Sequence, residues 1–202
     1  MPSLLEEPQD VLHAIYHRRA VRSYSAEQPD DELIRELLDA AVQAPTAMHV
    51  EPWAFVIVQD KALLRRYSDR AKTILLDDIS AGGELGQDPA AKQRLSGMLA
   101  DPSFNIFYDA GTLIVICRRP AGRYAEADCW LAAENLMLAA CAKELGTCCI
   151  GFAIPLLNTP DVKQELRIPG DYVAVAPLIV GFPRSVIPRV SRKPPHILRW
   201  VK

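Results

Sequence analysis

Three guanidinium groups fall within five positions, at Arg18, Arg19 and Arg22 of the run His17-Arg18-Arg19-Ala20-Val21-Arg22. A guanidinium stays charged at any accessible pH and grips phosphate bidentately, so such a run is either a solvated basic surface or an anion site. If the segment is extended, Arg18, Ala20 and Arg22 face one way and Arg19 the other. A second cluster, Ala44-Pro45-Thr46-Ala47-Met48-His49-Val50-Glu51-Pro52-Trp53, is bracketed by prolines. It reads either as a rigid loop able to hold a planar ligand or as a plain helix-to-strand connection with Trp53 in the core. A third cluster, Leu145-Gly146-Thr147-Cys148-Cys149-Ile150-Gly151-Phe152, places adjacent cysteines between glycines. No C-x-x-C pair accompanies them, and Cys117, Cys129 and Cys141 lie on apolar segments, where cysteine behaves as a small hydrophobe. No metal site is expected, because His13, His17, His49 and His196 lack ligand spacing. No H-E-x-x-H, G-x-S-x-G, P-loop or G-x-G-x-x-G occurs, which removes most zinc-enzyme, hydrolase, kinase and Rossmann readings.

Charge is distributed unevenly. No acidic residue follows Asp171, while Arg184, Arg189, Arg192, Lys193, Arg199 and Lys202 crowd the end of the chain. Such a tail is either solvated or meets an anion. The chain as a whole has 202 residues, a formal net charge of −2 and 50% hydrophobic residues. That predicts one domain over 1–202, with 184–202 as a basic extension, and gives no argument for nucleic acid or an anionic membrane surface. The apolar runs Thr112 to Cys117 and Tyr172 to Phe182 are far shorter than the roughly 20 residues of a membrane span. The start, MPSLLEEPQD, is acidic and lacks a secretory pattern, and five cysteines are an odd count. A cytoplasmic protein with reduced thiols is expected.

The elements that must position these clusters follow from periodicity. Helices are predicted over Pro8 to His17, with Val11, Leu12, Ile15 and Tyr16 as its apolar face, and from Asp30 to the stop at Pro45. Further helices are predicted over Lys61 to Asp77, Ala90 to Leu99 and Asp161 to Leu166, the last started by Thr159 and Pro160. The most apolar helix, Asp128 to Leu145, should be capped by Asp128, ended by Gly146 and almost fully buried. Strands are predicted over Trp53 to Gln59, Thr112 to Arg118 and Tyr172 to Gly181, with a short extended piece over Cys148 to Phe152. Pro177 argues for a sheet edge or a bulge. Glycines at 82, 83 and 86 mark a loop. Helices and strands mix without a βαβ rhythm, so the expected class is α+β.

In order along the chain, Arg-Arg-x-x-Arg-x-Tyr, then a capped helix, then Ala-Pro-Thr-x-x-x-x-x-Pro-Trp-x-Phe-x-Val resembles the nitroreductase family of FMN-dependent oxidoreductases. The run Ala133 to Ala140, the Leu145-Gly146-Thr147 and Ile150-Gly151-Phe152 pieces, and Val180-Gly181-Phe182-Pro183 before a basic tail are similar to that family's later segments. The resemblance covers roughly Val11 to Trp200. It implies a central mixed or antiparallel sheet flanked by helices, and a homodimer with two FMN sites at the interface. It also implies a C-terminal extension exchanged with the partner.

It further implies roles. Arg18 and Arg19 match the basic pair at the FMN phosphate and ribityl chain, Ala20 a position contacting through backbone alone, and Arg22 the cation near flavin N1 and O2. Pro45, Thr46, Ala47 and His49 match a loop given to the other subunit's flavin, with Glu51 near the substrate. Asparagine and glutamine are common in the family where this chain has His49 and Glu51. Cys148, Cys149, Ile150 and Gly151 match the segment whose amides face flavin N5 and O4. Arg192 is the first candidate for a second phosphate clamp, with Lys193 and Arg189 beside it. The activity so implied is hydride transfer from NADH or NADPH through flavin N5 to a nitroaromatic, quinone or activated alkene, in ping-pong fashion, without a catalytic side chain. The alternatives are reductive dehalogenation or flavin fragmentation under a lid at 81–107, or flavin binding without turnover.

Overall fold

The structure, a computed structural model, describes residues 11–83, 88–185, 188 and 190–202. Four strands pair antiparallel in the order β1-β2-β4-β3: β1 Trp53–Val58, β2 Thr112–Arg118, β3 Gly146–Cys149 and β4 Val173–Gly181. The helices are α1 Val11–His17, α2 Asp31–Ala41, α3 Lys61–Ser80, α4 Pro89–Ala100, α5 Ala125–Ala142, α6 Ile154–Leu157 and α7 Pro160–Glu165. This is the expected α+β class.

Alternation in β2 and β4 distributes the core to both faces of the sheet. Leu113, Val115, Cys117 and Ile179 pack toward α3 and α6. Ile114, Ile116, Leu178 and Val180 pack toward α2 and α5. Burial on both faces explains why these strands are apolar over nearly their whole length. Carboxylate caps set the helix starts: Asp30 accepts from Leu33 N–H at 2.8 Å, and Asp60 from Ala62 and Leu63 N–H at 2.8 and 3.0 Å.

Several expectations need correction. Asp128 caps nothing: α5 starts at Ala125, and the buried Asp128 carboxylate accepts the Ala47 N–H from a distant loop. Gly146 opens β3 instead of ending α5, and Glu144 takes the left-handed turn at φ 59. Of the two expectations for Pro177, the edge fails, since β4 is interior, and the bulge is met by a register shift opposite Ile116 and Cys117. Past Cys149 the chain does not stay extended but turns through a 3-10 helix at Gly151–Ala153. α2 ends at Ala41, ahead of Pro45. Thr159 starts α7 without a capping bond, its hydroxyl donating to Leu156 O instead.

Burial differs too. On α1 only Ala14 is buried, while Val11, Leu12, Ile15 and Tyr16 stand 48–67% exposed. On α5, Trp130 and Leu131 are 38% and 46% exposed. The apolar stripes are present, but part of each faces outward.

Candidate functional site

The arginine run follows α1 and then lies beside β3. Arg18 N–H still bonds Ala14 O at 2.8 Å, so Arg18 sits on the last helical turn. Extension begins at Ala20, which bridges Thr147 in parallel, and Val21 N–H donates to Thr147 O at 2.9 Å. Tyr24 bridges Pro183, and its hydroxyl donates to Val21 O at 2.8 Å. The alternation expected for an extended run therefore fails at its first member. Arg18 and Arg19 line the same two clefts, and Arg22 lines a third cavity.

The first cleft, about 640 Å³, gathers Arg18, Arg19 and Arg192 with Glu134. Glu134 lies 3.5 Å from Arg18 Nε. Arg19 donates through Nη1 to Arg18 O at 2.6 Å, but its buried Nε has no hydrogen-bond partner among the described residues. Arg192 has no ion pair among them. Positive charge thus exceeds negative, and one buried donor waits for an acceptor. The second cleft, about 520 Å³, shares Arg18 and Arg19 and continues over Val21, Thr147, Cys141 and Pro183. The third, about 350 Å³, is walled by Arg22, Tyr24, Asn105, Tyr108 and Arg184. Val21 and Arg22 are adjacent in the chain, as are Pro183 and Arg184, so the linings of the second and third spaces are linked through the backbone. The first two, which share Arg18 and Arg19, form a trough that is cationic at its Arg192 end.

In the third cavity the Arg22 guanidinium lies 5.8 Å from the Tyr108 ring centroid. The acids there are already engaged. Asp109 accepts from Asn105 Nδ2 at 2.8 Å and faces Arg65 at 3.9 Å. Asp101 accepts from Ser103 N–H and Oγ–H, which holds its carboxyl below the usual range. Tyr108 and Asp109 are both left-handed, at φ 51 and 55. Their turn is tied to α3: Lys72 Nζ donates to Asp101 O and Phe104 O at 3.2 and 2.8 Å, and Ser68 Oγ accepts Ile106 N–H at 3.0 Å.

The other expected residues are placed apart from the trough. Pro45 and His49 are exposed, Thr46 and Ala47 half-buried, and none of them lines the three spaces. Glu51 is exposed, and its carbonyl rather than its carboxylate is engaged, by Arg119 at 3.0 Å. Ala20 is exposed. Ile150 N–H is committed to Pro177 O at 2.9 Å and cannot serve a flavin edge. Gly151 is exposed, and a Cβ there would meet nothing, so no contact within the chain requires glycine. Lys193 is exposed and lines none of the three spaces, while Arg189 lies outside the described residues. Asn105, Tyr108 and Arg184 are the site residues that sequence reasoning missed. Arg184 had a signal in the basic tail; Asn105 and Tyr108 had none.

Burial pushes every thiol up: Cys117 and Cys149 to about 11, Cys129 to about 12, and Cys141 and Cys148 in the same direction. The nearby Arg22 and Arg18 charges oppose the rise at Cys148. Thiols so raised are poor nucleophiles. Among the described residues, no three His, Cys, Asp or Glu side chains are grouped to hold a metal, and no helix is long and apolar enough to cross a membrane.

Comparison with known proteins points the same way. The sequence profile described as "Nitroreductase family" matches residues 15–182. An Archaeoglobus fulgidus relative with the provisional name NADH dehydrogenase/NAD(P)H nitroreductase is 28% identical over 177 residues, 88% of this chain and 87% of that protein. A 5,6-dimethylbenzimidazole synthase of Rhodospirillum rubrum is 29% identical over 201 residues, covering 91% of this chain and 88% of that one. The solved nitroreductase of Bacteroides fragilis, with FMN bound, superposes with a TM-score of 0.78 at 24% identity, over 95% of this chain and 98% of that one.

Proposed function

The chain belongs to the nitroreductase family, and on that premise we propose that it binds one FMN in the trough and transfers hydride from NADH or NADPH to a nitroaromatic, quinone or activated alkene. The observation that carries this reading is the cleft lined by Arg18, Arg19 and Arg192, beside which the buried Arg19 Nε has no hydrogen-bond partner among the described residues. Three guanidiniums suit a phosphate near its dianionic state. Val21 and Thr147 line the way to Arg22, Asn105 and Tyr108, which would hold the ring.

Bound FMN supplies the hydride-accepting and hydride-donating centre. The chain's own work is binding and electrostatics. Arg22, which lines the third cavity, would lend fixed positive charge to the N1 and O2 side of a bound flavin and so would favour its reduced form. The resemblance gives the backbone of Cys148, Cys149 and Gly151 to the ring's other edge, but none of them lines the three spaces and Ile150 N–H is held by Pro177 O, so no contact is assigned to them. No side chain must move a proton for the hydride step, and none is assigned as catalytic.

The assembly is a homodimer in which the loop carrying Pro45, Thr46, Ala47 and His49 reaches the partner's flavin and Glu51 meets the substrate. The outward apolar faces of α1 and α5 support this, as do Ile197, Leu198 and Trp200 in the tail, which stand 58–89% exposed. Such a surface marks an interface. The exposed tail is the segment exchanged with the partner.

The test is direct. The purified protein should be yellow, release one FMN per chain on heating, and oxidise NAD(P)H with a quinone acceptor, giving parallel double-reciprocal lines. A colourless protein that does not quench FMN fluorescence at micromolar concentration overturns the reading. Its identity with a 5,6-dimethylbenzimidazole synthase favours one second reading, a specialised flavin chemistry with α4 as part of a cover over the substrate. Product analysis after aerobic turnover separates the two: consumption of the flavin itself, with no turnover of added acceptors, selects the second.

A further inference from the structure

The segment between α2 and β1 is under backbone strain. Met48, His49 and Glu51 all lie in the left-handed region, at φ 56, 53 and 48. A side chain with a Cβ enters that region at a cost, and three such residues in four positions persist only when their surroundings over-determine them. Two outside groups do so here. The Arg119 guanidinium, just past β2, donates to Val50 O at 2.6 Å and Glu51 O at 3.0 Å, while its own N–H donates to Pro52 O at 2.8 Å. From α5, both oxygens of the buried Asp128 carboxylate lie 3.3 Å from Ala47 N. The residues held this way are offered to solvent, with Met48 90% exposed. A strained, doubly braced and outward-facing segment does not serve its own chain's core.

We propose that Arg119 is a positioning residue that, with Asp128, holds residues 47–51 in a preformed shape for insertion against a second copy of this chain. The inference rests on the homodimer reading above. What it adds is that the ordering of the loop is completed before association, so the dimer forms without that entropic loss. Arg119 lines none of the three clefts and reaches the loop through its carbonyls.

The experiment compares wild type, Arg119→Lys, Arg119→Met and the double variant Arg119→Met/Glu51→Gly. It reads far-UV circular dichroism, amide exchange of residues 47–52 in dilute protein, and the dimer dissociation constant by light scattering and dilution. Arg119→Met should keep the fold, speed exchange in 47–52, and raise the dissociation constant by roughly tenfold or more. Arg119→Lys, which keeps the charge but lacks the fork, should fall between. Glycine accepts the left-handed backbone freely, so Glu51→Gly should recover part of the loss. A wild-type dimer whose loop exchange and dissociation constant are unchanged in Arg119→Met overturns the inference. So does a loss that Glu51→Gly leaves untouched. A wild type that is monomeric at micromolar concentration overturns the homodimer itself, and this inference with it.

Discussion

Val21 occupies the space that a side chain at position 146 would need: a Cβ on Gly146 would lie 2.6 Å from Val21 Cγ2 and 2.7 Å from Val21 Cβ. The arginine run can therefore lie alongside β3 only because residue 146 is glycine. Gly146→Ala should destabilise the protein by about 1–3 kcal/mol, the range for overpacking a filled site. It should also weaken FMN binding, because the Val21–Thr147 hydrogen bond that sets the run's position would be displaced. Adding Val21→Ala should restore part of both. Thermal melting and flavin titration of the two single variants and the double check this. Additive losses in the double variant would contradict it.

If the phosphate lies in the Arg18–Arg19–Arg192 cleft, then Arg18→Ala and Arg192→Ala should each weaken FMN binding by about 1.5–3 kcal/mol, the worth of a hydrogen bond to a charged group. That is a rise in dissociation constant of roughly 10- to 150-fold. Riboflavin, which lacks the phosphate, should bind wild type and both variants alike. Lys193→Ala should change neither, because Lys193 is exposed and lines none of the three spaces. Fluorescence-quenching titrations with both flavins decide it.

The strands and most helices were legible because their signals are local. Leu113 to Cys117 is apolar at every position, and Asp30 precedes a helical stripe. What escaped is set by distant partners. Asp128 looks like a helix cap in sequence, yet its carboxylate braces a loop 81 residues away. Pro177 argues for an edge or a bulge; the strand is interior, and the bulge is there, with Val175 of β4 as the extra residue opposite Ile116 and Cys117. Asn105 and Tyr108 carry no motif, because Lys72 and Ser68 on another element bring their turn to Arg22. The Arg18/Arg22 alternation, conditional on an extended run, does not reach Arg18, because Arg18 N–H still bonds Ala14 O and extension begins only at Ala20. Periodicity reports which face of an element is apolar, not what covers it, and so α1 could not be known to face outward.

That outward face gives another test. Leu131 is 46% exposed on α5, and the exposed Tyr16 and Ile15 extend along α1. In a homodimer built on these faces, Leu131→Glu should place an uncompensated charge in an apolar contact and shift the protein toward monomer. The melting temperature of wild type should rise with protein concentration, and that of Leu131→Glu should not. FMN affinity should fall with the loss of dimer. A Leu131→Glu variant that remains dimeric at nanomolar concentration would place the interface elsewhere.

The buried thiols set the alkaline limit of stability. Cys117, Cys129 and Cys149 are raised from 9.0 to about 11, 12 and 11, in each case chiefly by burial. The unfolded chain therefore loses these protons first, near pH 9, while the folded chain keeps them. Above that point the unfolded state binds fewer protons than the native one, so stability falls as pH rises, until the native thiols ionise near pH 11–12. Each of the fully buried pair, Cys117 and Cys129, should contribute about 2 kcal/mol to that fall by pH 11. Tyr24 and Tyr67, also raised by burial, add in the same direction at the upper end of the window. Below pH 8 all of these groups are protonated in both states and the slope should vanish for them. Urea unfolding at pH 7.5, 9, 10 and 11 should thus show a steady loss of stability. Cys129→Ala will be less stable at pH 7.5, because a buried side chain is truncated, but should lose less between pH 9 and 11 than wild type. In folded protein at pH 8, a thiol reagent should modify Cys117 and Cys129 only at the rate of unfolding; their labelling as fast as a free thiol would show that burial does not hold them protonated.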